Sequence, residues 1–121
     1  MTITYEQVLS ELETIVSEQP DFVYRRVNTE ADPYDSDCWY VHSVDGKLVP
    51  GCIIGHWLIR FHKVDPGNLH DNFEALYAGY VVPKLVPDIT TAAVELLIRV
   101  QHNQDCGRTW RESLNRATAR S

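Results

Sequence analysis

Residues 38–62, C-W-Y-V-H-S-V-D-G-K-L-V-P-G-C-I-I-G-H-W-L-I-R-F-H, gather two tryptophans, two of the chain's three cysteines and three of its five histidines. The pattern changes from hairpin to helix at Pro50-Gly51, which puts Cys52 in the first turn of a helix and His56 one turn later on the same face. A thiol at a helix amino terminus feels the positive end of the dipole, which favours the thiolate. This is the arrangement of a cysteine nucleophile with a histidine base. The candidate bases are His56, His42 on the preceding strand, and His102; the candidate orienting groups are Asp105, Asn103 and Asp45. The same residue types suit a metal, with Cys52 and His56 as two ligands and Cys106, His102 or His42 completing a tetrahedron. The closely paired cysteines of structural zinc sites are missing, so no metal and no cofactor is expected. The alternative for Cys52 is an inert core thiol, the usual state of a buried cysteine.

The remaining candidate contacts are binding residues. Gly51 and Gly55 carry no side chain, so another backbone or a ligand can approach there. Arg60 lies on the polar stripe of the same helix, with His56 and Lys63. Arg108 and Arg111 belong to a basic carboxyl-terminal segment. His62 and His70 flank a turn and are expected on the surface.

A length of 121 residues suits one domain, and 44% hydrophobic residues support a core. Net charge is −6, and it is unevenly spread. Residues 1–50 carry ten acids against three bases, whereas residues 106–121 carry four arginines against one acid. An acidic body repels phosphate backbones, which argues against nucleic acid as a general partner. Arg108, Arg111, Arg116 and Arg120 are read as dipole-complementing residues of a terminal helix. No apolar run has the length of a membrane span and the amino terminus lacks a signal-peptide pattern, so a cytoplasmic protein is expected. Three cysteines without a C-x-x-C fit reduced thiols better than a disulfide scaffold, with a single Cys38–Cys52 bridge as the alternative.

The positioning elements follow from caps and periodicity. Thr4 and Gln7 form a capping box, Ile3 can staple onto Val8, and Val8, Leu9, Leu12, Ile15 and Val16 make an apolar helical stripe. Glu6, Glu11, Glu13 and Glu18 fall largely off that stripe, as a solvated acidic surface. Gln19-Pro20 ends the helix. A strand is expected over residues 22–27, then an acidic loop over residues 28–37 that lacks the EF-hand pattern. Asp45-Gly46 closes a hairpin between residues 39–43 and 47–49. A helix over residues 51–63 is apolar nearly all round and belongs at the centre of the fold. Asp65-Pro66-Gly67-Asn68 reads as a turn, and residues 72–78 as a short helix ended by Gly79. Tyr80-Val81-Val82 is an alternative strand, with Pro83 and Pro87 limiting length. Helices over residues 90–104 and from Thr109 onward pack as an antiparallel hairpin in preference to a helix-turn-helix. The fold class is therefore α+β: a small antiparallel sheet of about three strands with four to five helices in a single domain.

Two segments, P-G-C-I-I-G-H-W-L at residues 50–58 and Q-D-C-G-R-T-W-R-E-S-L-N-R-A at residues 104–117, resemble small uncharacterised proteins of actinobacteria and their bacteriophages. The resemblance covers less than a quarter of the chain. It implies no activity, and it does imply a small accessory protein of a bacterium or bacteriophage. Together with the acidic composition it points to protein–protein interaction, with a host protein or another copy of the chain as partner. No membrane and no small-molecule ligand is implied. The alternative function is a cysteine-dependent hydrolase or transferase with Cys52 as nucleophile.

Overall fold

The computed structural model describes residues 2–24, 39–73 and 77–119. In chain order these form α1 (Tyr5–Glu18), β1 (Val41–Val44), β2 (Lys47–Pro50), α2 (Ile53–His62), α3 (Pro66–Asn72), α4 (Ala78–Leu85), α5 (Thr91–Asp105) and α6 (Trp110–Thr118). The class is α+β, as the sequence implies. The described residues contain six helices and a two-stranded sheet, more helix and less sheet than expected. The expected acidic loop at 28–37, residues 25–27 of the expected strand, Cys38 and Arg120 lie outside the described residues.

Local chemistry accounts for the helix starts. The Thr4, Thr90 and Thr109 hydroxyls each accept from the N–H three residues on, capping α1, α5 and α6. The hairpin register pairs Val41 with Pro50 and Val44 with Lys47. Asp45 and Gly46 both have positive φ, 52° and 78°, as a type I′ turn requires. Pro50 closes β2, so the central helix begins at Ile53, two residues later than expected, with Cys52 as its N-cap and not in its first turn.

Among the described residues, two isolated bridges stand outside the hairpin. Ile3 pairs with Ile89, and its N–H and C=O bond Asp88 and Thr90, which ties the start of α1 to the start of α5. Val23 pairs with Thr109, and the N–H groups of Trp110 and Arg111 donate to Phe22 and Pro20. The chain leaving α1 thus satisfies the orphan donors at the start of α6. Gln104 near the end of α5 meets Trp110 at the start of α6, and Arg99 earlier in α5 meets Ala117 near the end of α6. The pair is therefore an antiparallel hairpin.

Two expectations between α2 and α5 fail. Asp65-Pro66-Gly67-Asn68 opens α3 with Pro66 in its first turn, a position where the missing N–H would be unpaired anyway. Tyr80-Val81-Val82 is helical, and Gly79 lies inside α4 instead of ending a helix. Ala78, Val81 and Val82 are buried and Leu85 is partly so, a helical stripe visible in the sequence. Pro83 sits within α4 and is exposed.

One core joins all six helices and β1, with Trp57, Trp110 and Tyr40 its largest fully buried side chains. From α1 it takes Val8, Leu12, Ile15 and Val16. Gly55 lets α2 cross the hairpin: a Cβ there would stand 2.0 Å from the Tyr40 carbonyl oxygen. No helix of the described residues is long and apolar enough to cross a membrane.

Candidate functional site

Cys52 sits at the N-cap of α2, completely buried, and its backbone N–H donates to the Trp39 carbonyl at 3.0 Å. Its sulfur is held in a disulfide, while Cys106 is a free and exposed thiol. The expectation that the thiols are all reduced is thereby corrected at Cys52. A sulfur so bonded has no thiolate to offer, whatever the helix dipole supplies.

The candidate bases lie in different surroundings. His42 on β1 stacks on Tyr24, with ring centroids 5.6 Å apart, and its Nε2 lies 3.1 Å from the Tyr24 hydroxyl. That hydroxyl also accepts from the Trp39 N–H at 3.0 Å. Burial lowers the pKa of His42, which favours the neutral ring beside the phenol. Gly51 packs against this ring: a Cβ there would lie 2.8 Å from His42 Cδ2 and 2.3 Å from the Trp39 oxygen. Both candidate binding glycines are therefore places where backbone meets backbone or ring.

His56 projects toward α6 and meets the Trp110 ring edge to face at 5.2 Å. Burial, and then the Arg60 charge, depress its pKa to about 4, with Glu18 opposing. Its buried Nδ1 has no hydrogen-bond partner among the described residues. His102 belongs to the last turn of α5, where Nε2 lies 3.9 Å from the Cys106 sulfur. The candidate orienting groups have other uses. The Asp105 carboxylate accepts from Gln104, the Asn103 amide donates to the Arg99 carbonyl, and Asp45 forms the hairpin turn. Among the described residues no three of His, Cys, Asp and Glu converge as metal ligands.

The candidate binding arginines meet carboxylates of the same chain. Arg60 makes two bonds to Glu18, at 2.8 and 2.7 Å, and they hold that carboxyl below its usual range. Arg111 makes two to Glu13, and Arg108 pairs with Glu112 at 3.3 Å. The glutamates of α1 are thus more than a solvated surface. Glu11 accepts from the Trp57 indole at 2.9 Å, and the same oxygen lies 3.0 Å from His62 Nε2. His62 is only 11% exposed, against the expectation for a turn residue. His70 is exposed as expected, beside Asp71.

Three features were not singled out as functional from the sequence. Gln104 is buried, and its side-chain oxygen accepts from the Ile53 N–H at 2.9 Å and the Trp110 indole at 3.0 Å. It therefore joins the two segments of residues 50–58 and 104–117. Gly107 turns with φ +88°, Thr109 caps α6, Trp110 and Leu114 fill the core, and Arg111 reaches α1. These uses are structural. A cleft of about 380 Å³ opens beside Tyr5, Glu6, Arg99 and Thr118 and shares no residue with the Cys52 cluster. Tyr77 and Tyr80, at the start of α4, are 65% and 52% exposed. The three-residue spacing of these tyrosines was a signal for one helical face, masked by the strand alternative. No protein-family model, curated protein or solved structure matches the chain.

Proposed function

We propose that this chain is a non-catalytic accessory protein that binds a partner protein through the exposed face of α4. The carrying observation is the pair of exposed rings, Tyr77 and Tyr80, with the Lys84 ammonium 5.8 Å from the centroid of the Tyr80 ring. Tyrosine supplies large contact area at low entropy cost and is enriched at interface centres. The partner that fits is a folded protein with an apolar recess flanked by acidic groups, which would take the rings and pair with Lys84. The net charge of −6 disfavours a phosphate-rich partner. The resemblance of residues 50–58 and 104–117 to small actinobacterial and bacteriophage proteins favours a host protein as that partner. The thiol-enzyme alternative lacks comparable support while Cys52 is in a disulfide.

The test is position-dependent photo-crosslinking. A photoreactive phenylalanine derivative replaces Tyr80 in one sample and the exposed Glu95 of α5 in another. One discrete adduct is expected from position 80 and none from position 95, with loss in Tyr77→Ser and Lys84→Glu backgrounds of unchanged circular dichroism. Equal adducts from both positions, no adduct at position 80, or capture indifferent to those substitutions would sink the reading.

A further inference from the structure

The last turn of α5 brings two soft-metal donors together at the surface. His102 and Cys106 are both exposed, four residues apart, with Nε2 facing the sulfur at 3.9 Å. A tetrahedral ion with bonds of ~2.3 Å to sulfur and ~2.0–2.1 Å to imidazole nitrogen holds those donors about 3.6 Å apart. The observed separation differs from this by only a few tenths of an ångström, within reach of small side-chain rotations. A thiolate and an imidazole are also the ligand types that favour zinc-class cations over calcium or magnesium.

We propose that His102 and Cys106 are half of a tetrahedral zinc-class site, completed by the same two residues of a second copy of the chain. One chain supplies two donors, and among the described residues no third His, Cys, Asp or Glu converges with them. A structural site of this class takes four, and a two-fold axis through the metal supplies the second pair from identical surfaces. Each Cys106 gives its thiol proton to solvent on binding, so two thiolates balance the charge of one divalent cation. The proposed metal ligands include neither Tyr77 nor Tyr80, so either proposal can fail without the other.

The test titrates the metal-free protein with Co²⁺, followed by displacement with Zn²⁺. Thiolate-to-cobalt charge transfer with tetrahedral d–d bands should saturate at one metal per two chains, and light scattering should show a doubled mass that EDTA reverses. Cys106→Ser and His102→Asn should each abolish both signals with unchanged thermal unfolding, since both side chains are exposed. Four results would overturn the proposal: no binding, saturation at one metal per chain without a dimer, signals that survive either substitution, or a dimer that persists in EDTA.

Discussion

His56 is an imidazole held neutral by its surroundings. Its ring packs on Trp110, its Nδ1 is buried, and its pKa is lowered to about 4 by burial and then by the Arg60 charge. The unfolded chain takes up a proton near pH 6.5, whereas the folded protein resists it until about pH 4. Its contribution to stability is therefore fully present above pH 6.5 and is lost as pH falls through that window. The loss should be on the order of 1–2 kcal/mol, a discounted figure because the ring is partly open to solvent. Urea unfolding at pH 7.5 and 4.5 checks it: His56→Gln should show a smaller drop than the parent. His42 is shifted the same way by burial and Glu18 carries a lowered pKa, so both proteins retain some pH dependence. An identical drop in the two proteins would show that the ring is readily protonated in the fold. That a histidine would follow Cys52 by one turn was plain from spacing; that it would face Trp110 was not, because Trp110 arrives from 54 positions away in the chain.

At the scale of elements, the helix ends were the most legible features. Thr4 and Thr109 cap as their spacing implies, because a cap is settled within four residues, and Thr90, expected as the first residue of its helix, caps α5 instead. The hairpin was equally local, since Asp45-Gly46 fits a turn with two positive φ angles. Around α3 and α4 local signals conflicted. Pro66-Gly67 reads as a turn until Leu69 is buried behind it, and Val81-Val82 suits a strand until packing selects the helical stripe. The crossing of α2 and the hairpin is where an element-level prediction belongs. Gly55→Ala would press a methyl group into the Tyr40 carbonyl, with an expected cost of about 3 kcal/mol or more. Gly67→Ala in α3 meets only ordinary contacts, the nearest at 3.4 Å, and should be neutral or stabilising by about 0.5–1 kcal/mol. Thermal unfolding of the two variants should shift in opposite senses or, for Gly67→Ala, not at all.

Across the whole molecule, Gln104 is the polar joint of the core. It takes the Ile53 N–H of α2 and the Trp110 indole of α6 onto one oxygen, while its amide donates to Asp105. Gln104→Leu keeps much of the volume and leaves two buried donors without an acceptor, so a loss of about 2–4 kcal/mol is expected in denaturant unfolding. A loss below about 0.5 kcal/mol would mean that water or a rearranged neighbour replaces it. A second global feature is that α1 supplies carboxylates to distant elements: Glu11 to Trp57 and His62, Glu13 to Arg111, and Glu18 to Arg60. From the sequence these glutamates were only an acidic surface and the arginines only candidate contacts. By itself the sequence determined the helical character of α1, α2, α5 and α6, the hairpin turn, the α+β class and the acidic balance, all set by short-range periodicity, caps and composition. Only the tertiary structure decided which cysteine is a free thiol, which carboxylate meets which cation, and that Tyr77 and Tyr80 stay exposed. Contact and burial are set by the packing of the folded chain, and spacing along the sequence does not specify them.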